Sequence, residues 1–181
     1  MTDLAAAASP AMDPSAAAAA DTPAAGDGQR LLLGFCGVSI AMLAAGGWLT
    51  SLGIGDWYRE LRLPPFQPPA WVFTPVWTAI LAMLAVAAWR VARTPHPGRW
   101  LAFALYGAQC VLNAGWSLLF FTVARPDVAF GEIVVLIGTV ASMVVAFGRI
   151  DRVAGGLLVP YLLWLLFAAA INGWIVAENG L

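Results

Sequence analysis

The chain has 181 residues, 61% of them hydrophobic and 10% charged, and a mean hydropathy of +0.82. A soluble domain carries about a quarter charged residues, so a soluble globular protein is excluded. With a net charge of −1 and no basic patch, nothing points to a nucleic-acid partner.

Residues 1–29, "MTDLAAAASPAMDPSAAAAADTPAAGDGQ", are rich in Ala, Pro and Asp and hold no Lys or Arg. The positive n-region of a secretory signal is missing, and the apolar run that follows is too long for an h-region. With no apolar face to bury, this segment reads as a disordered tail. Five apolar stretches come next, near 31–53, 71–92, 100–123, 128–148 and 153–177. Each is close to the roughly 20 residues that cross a bilayer. Lipid offers the backbone no hydrogen bonds, so these stretches are helices. Residues 30–181 are expected to form an all-α integral membrane domain, a five-transmembrane-helix bundle. The connections "TPHPG", "ARPD" and "RID" are short enough to make successive spans antiparallel neighbours. Small residues such as "AAGG" at 44–47 let backbones approach closely.

Between the first two spans lies "LRLPPFQPPAWVFTPVW", Leu61 to Trp77, with five prolines and two tryptophans. Prolines at this density cannot sit in a helix interior, so the stretch is a stiff loop that leads into span two. Pro75 and Pro160 fall within spans two and five, and each is expected to kink its helix just ahead of an inward tryptophan.

Helical spacing puts Phe73, Trp77, Ile80, Leu84 and Ala88 on one face of span two. Tyr106, Gln109, Asn113, Trp116 and Phe120 form a stripe on span three, and Tyr161, Trp164, Ala168 and Asn172 form one on span five. Amides facing lipid are costly, so these stripes face protein or a cavity. They serve either as glue between helices or as the lining of a ligand site. Trp48, Trp89, Trp100 and Trp174 read as an interfacial belt. Trp57, Trp71, Trp77, Trp116 and Trp164 lie near the proline loop or on the inward stripes and are candidates to line a ligand.

Cys36 and Cys110 lie inside spans and suggest no disulfide framework. The one histidine, His96, has no ligating neighbour and reads as an exposed loop residue rather than a metal ligand. Glu132 and Glu178 are the intramembrane acids, and neither has a partner in the sequence. No catalytic constellation is visible, and no metal site is expected. The side that holds the N-terminus carries Arg30, Arg90, Arg93, Arg99, Arg149 and Arg152, six arginines against Arg59, Arg62 and Arg125 opposite. This excess favours a cytoplasmic N-terminus, in a bacterial cell membrane.

Several of these segments together, "WYREL", "LPPFQPPAWVFTPVWTAIL", "QCVLNAGWSLLFF" and "PYLLWLLFAAAIN", resemble the tryptophan-rich sensory protein family, also called TspO/MBR and, in mitochondria, translocator protein or peripheral-type benzodiazepine receptor. The resemblance covers residues 31–178. It implies a five-helix bundle, often a homodimer, that binds tetrapyrroles such as protoporphyrin IX or haem as ligands and requires no cofactor. The pocket implied lies beneath the first loop and would be lined by Trp57, Phe73, Val76, Trp77, Asn113, Trp116, Trp164, Ala168 and Asn172. Arg59 or Arg62 is a candidate partner for porphyrin propionates. Sterol-binding relatives carry a Tyr and a basic residue after the span-five Asn, and "INGWIVAENG" has neither, which puts sterol binding in doubt. Val128 stands where many relatives have Trp. Three functions are compatible with these features. One is a receptor-like protein that senses or transports porphyrin, the second a light-dependent porphyrin-degrading enzyme using Trp77 and Trp164, and the third a structural scaffold in the bilayer.

Overall fold

The computed structural model of the protein describes residues 25–181. Seven helices follow in order: α1 (Ala25–Gly53), α2 (Asp56–Glu60), α3 (Ala70–Arg93), α4 (Arg99–Ser117), α5 (Pro126–Ile150), α6 (Arg152–Leu157) and α7 (Val159–Asn179). Five stretches are long and apolar enough to cross a membrane: Asp27–Gly53, Ala70–Arg93, Arg99–Thr122, Pro126–Ile150 and Arg152–Asn179. Over the described residues the protein is an all-α bundle of five membrane-spanning helices. Residues 25–29, expected in the tail, open α1; the rest of the tail lies outside the described residues.

Local chemistry sets most helix ends. Pro69 is extended, with φ −55° and ψ 147°, and α3 begins immediately after it. Pro126 starts α5, where its missing N–H is no loss. Asp151 caps α6, its carboxylate accepting from the Ala154 N–H at 3.0 Å. Pro75 lies inside α3, as expected. Pro160 does not. Span five is broken at Leu158 into α6 and α7, and Pro160 sits in the first turn of the new helix. Proline is tolerated there, so it marks a break rather than a kink in a continuous helix.

A second irregularity ends span three. Leu118–Thr122 form a π-helical turn, closed by the Val123 N–H on the Leu118 carbonyl at 2.9 Å. The wider turn carries Phe120 and Phe121, and Gly53 of α1 lies against the Phe121 carbonyl where no Cβ would fit.

The helices pack as one bundle. α5 lies against α4, α6 and α7, while α1 lies against α3 and the π turn; α1 also touches α4, and α3 also touches α6. At the end bearing the α3–α4 connection the core is dense: Leu84, Ala87, Ala88 and Val91 meet Ala102, Tyr106, Met143 and Phe147. Contact between small and aliphatic side chains holds these helices together, since lipid tails are as apolar as leucine. Gly155 of α6 presses on Gly148 of α5, and an added Cβ would come within 2.6 Å of the Gly148 Cα. Toward the opposite end α7 keeps its backbone close to α5 but makes no extensive backbone approach to α3 or α4. Long side chains fill the space between.

Candidate functional site

The space between α3, α4 and α7 is crossed by a chain of hydrogen bonds. The Asn113 amide donates to the Tyr161 hydroxyl at 3.1 Å, and that hydroxyl donates to Gln109 Oε1 at 3.1 Å. Gln109 Nε2 in turn reaches the Cys110 sulfur at 3.1 Å. Gln109, Tyr161 and Asn172 are buried, so the inward stripes of spans three and five face protein. Trp77 of α3 stands edge-on to Tyr161 with ring centroids 6.0 Å apart.

Closer to the proline loop the tryptophans form a box. The Trp116 indole N–H donates to Asn172 Oδ1 at 3.2 Å, and Asn172 Nδ2 donates to the Pro126 carbonyl at 2.8 Å. Asn172 is thereby fixed between α4 and the start of α5. The Trp116 ring stacks on Phe120 at 5.1 Å and 24°, and Trp57 meets Phe120 edge-on at 6.3 Å. Tyr58 tilts against Phe121 at 5.8 Å. The π turn puts both phenylalanines into this box. π turns of this kind occur frequently at functional sites.

The remaining candidates lie where α3 faces α7. Phe73 stands edge-on to Trp164 at 5.6 Å, and Trp164 tilts against Phe167 at 5.7 Å. Val76 and Trp164 line a groove of about 400 Å³ between α3 and α7, with Ile80, Met83, Pro160 and Phe167. Thus six of the nine sequence candidates fall into two clusters. Trp57, Trp116 and Asn172 belong to the box under the loop, while Phe73, Val76 and Trp164 border the groove. Trp77 and Asn113 meet on Tyr161 between them, and Ala168 is half-buried on α7. Trp71, grouped with the ligand candidates, is 74% exposed and belongs with Trp48 and Trp100 at the surface. Trp89, expected in the belt, is half-buried, and its indole N–H donates to the Gly28 carbonyl at 2.8 Å.

Sequence reasoning missed the fastening of the loop. The Arg62 N–H donates to Asn179 Oδ1 at 2.9 Å, and Asn179 Nδ2 donates back to the Arg62 carbonyl at 3.1 Å. The Gln67 amide donates to the Tyr58 hydroxyl at 3.2 Å. Nothing in the neighbouring sequence marks Asn179, because its partner is 117 residues away. Of the three arginines at this end, Arg59 pairs with Asp56 at 3.7 Å and Arg125 with Asp127 at 2.6 Å. Arg62 makes no ion pair among the described residues. Glu132, in α5, buries both carboxyl oxygens with no hydrogen-bond partner among the described residues.

At the other end Arg90 of α3 meets Asp151 at 2.8 Å, tying α3 to the cap of α6. The Arg90 hydrogen bond holds the Asp151 carboxyl below the usual carboxylate range. Among the described residues no three His, Cys, Asp or Glu side chains converge to hold a metal ion.

The model of the TspO/MBR family matches residues 35–177. The chain is 38% identical to a tryptophan-rich sensory protein of Cereibacter sphaeroides over 117 residues, 65% of this chain and 73% of that one. It is 34% identical over 154 residues to the tryptophan-rich protein TspO of Chlorobaculum tepidum, 83% of this chain and 98% of the other. A translocator protein of Sus scrofa is 32% identical over 141 residues, covering 74% of this chain and 83% of its own.

Proposed function

Since the chain belongs to the TspO/MBR family and is a multi-pass integral membrane protein, we propose that it is a receptor-like protein that binds a tetrapyrrole, such as protoporphyrin IX or haem, between α3, α4 and α7. The observation that carries this reading is the Phe73–Trp164 contact beside the groove. Two aromatic rings from facing helices meet only edge-on, in a region where the helix backbones stand apart. Parting them presents flat faces to a flat π-system, which offset stacking and burial favour. The groove, at about 400 Å³, is within the range of small-molecule sites. The loop above is stiffened by proline, so ordering it over a ligand costs little entropy. Arg62, with no acidic partner among the described residues, is the cation available to a propionate at this end. The same reading sets the N-terminus in the cytoplasm of a bacterial cell, following the six arginines on that side.

The test is a dark titration of the detergent-solubilised protein with protoporphyrin IX, read by tryptophan quenching. Wild type is expected to saturate. Trp164→Ala is expected to bind about threefold to tenfold more weakly, the range of an aromatic contact worth about 0.5–1.5 kcal/mol. Trp48→Ala, at an exposed site, is expected to bind like wild type. Quenching that never saturates would overturn the proposal. A light-dependent absorbance product, lost in Trp77→Phe and Trp164→Phe with binding retained, would make the protein an enzyme instead.

A further inference from the structure

We infer that the groove between α4 and α5, at the end of the bundle away from the aromatic box, is a binding site for one anionic phospholipid of the surrounding bilayer. The groove measures about 560 Å³; Leu101, Leu105, Val145 and Ala146 line its apolar length, and His96 and Arg149 stand at its polar end. Leu101 and Val145 are each more than half exposed, at 53% and 52%. A groove of this kind open to lipid takes an acyl chain without strain.

The polar end selects the headgroup. Arg149 is exposed on the last turn of α5 and makes no ion pair among the described residues. Its fork of donors matches a phosphate. His96 Nδ1 accepts the Gly98 N–H at 2.9 Å, which leaves Nε2 as the protonated nitrogen and a second donor. α4 begins at Arg99 beside it, and the positive end of the helix dipole adds to the attraction.

The wider field has the same sign. Among the described residues this end of the bundle carries Arg30, Arg90, Arg93, Arg99, Arg149 and Arg152. Its acids, Asp27 and Asp151, are already paired with Arg30 and Arg90. Basic pockets between membrane helices bind anionic headgroups in this way. A second copy of the chain docking symmetrically through the same face would instead bring like charges together.

Native mass spectrometry of the full chain, released from bilayer discs of equal phosphatidylglycerol and phosphatidylcholine, tests the site. Wild type is expected to retain one phosphatidylglycerol in preference to phosphatidylcholine. Arg149→Gln is expected to lower the retained fraction about fivefold, the contribution of one arginine at the membrane surface. Arg152→Gln, the same charge change outside the groove, alters only the wider field and is expected to lower it less than about twofold. Val145→Trp fills the groove at an exposed position without altering charge and is expected to expel the lipid. Equal loss in the two arginine variants, retention in Arg149→Gln, or no preference for phosphatidylglycerol would each overturn the assignment. So would a Val145→Trp protein that keeps its lipid and changes its oligomeric mass, since the groove would then be a contact between subunits.

Discussion

Asn179, the last residue of α7, clasps the backbone of Arg62 in the proline loop through both its N–H and its carbonyl, at 2.9 and 3.1 Å. The side chain takes the place of a neighbouring strand, fastening the loop to the end of the last helix. Asn179→Ala removes two solvent-exposed hydrogen bonds, together worth about 1 kcal/mol. Amide hydrogen exchange in residues 54–69 is expected to rise several-fold while exchange in α3 and α5 stays unchanged. Unaltered exchange would show that the prolines and the Gln67–Tyr58 hydrogen bond hold the loop without Asn179.

Asn172 is satisfied on both sides, by the Trp116 indole and the Pro126 carbonyl. Asn172→Leu leaves the indole N–H without an acceptor in a buried site. The expected loss of stability is about 1–2 kcal/mol, since interhelical hydrogen bonds in membranes average about 0.6 kcal/mol and an orphaned donor adds to that. Thermal unfolding in detergent measures it. Trp116→Phe removes the donor instead, and the double variant is expected to cost less than the sum of the two.

Gly53 has no room for a side chain, because the backbone of the π turn occupies the space. Gly53→Ala must push α1 away from Phe121 and is expected to cost about 1–3 kcal/mol, the range for overpacking. Gly47, on the same helix, has nothing near its Cβ position. Gly47→Ala is expected to be neutral or to stabilise by up to about 1 kcal/mol through helix propensity. Equal effects at the two positions would contradict the close approach.

Asp151 predicts a pH dependence. Its folded pKa lies below the unfolded value because Arg90 donates to the carboxylate. The pair therefore contributes its full stability above the unfolded carboxylate pKa, about 3.9. That contribution is lost as pH falls through the folded value. Wild type is expected to melt above Asp151→Asn at neutral pH, by a margin that is constant there and closes only in strong acid. A margin that instead widened on acidification would reverse the sign and exclude the pair as its source.

The two halves of the candidate site differ in how far they could be read from the chain. Tyr106, Gln109 and Phe120 follow helical spacing, and all three are buried as that spacing requires. Trp71 stands six residues before Trp77 on the same helix, about 240° around it. It is exposed where Trp77 reaches Tyr161, so helical spacing separates the two although both lie near prolines. Its rotation about α3 decides between them, and proline richness nearby carries no information on rotation. Pro160 reads as a kink because the apolar run continues through it, whereas the break at Leu158 depends on α6 packing against α5.

The sequence by itself determined that residues 25–181 hold five membrane-spanning stretches, where each lies, which faces turn inward and which family the chain belongs to. Hydropathy and helical period are local properties, and the lipid leaves the backbone no alternative to a helix. Only the tertiary structure decided that the aromatic candidates divide between a box under the loop and a groove beside α7, that Asn179 meets Arg62, and that Arg149 shares a groove with His96. Those relationships depend on the distances and rotations between helices far apart in the chain. They are set by close approaches such as that of Gly53 to the Phe121 backbone, which no single segment encodes.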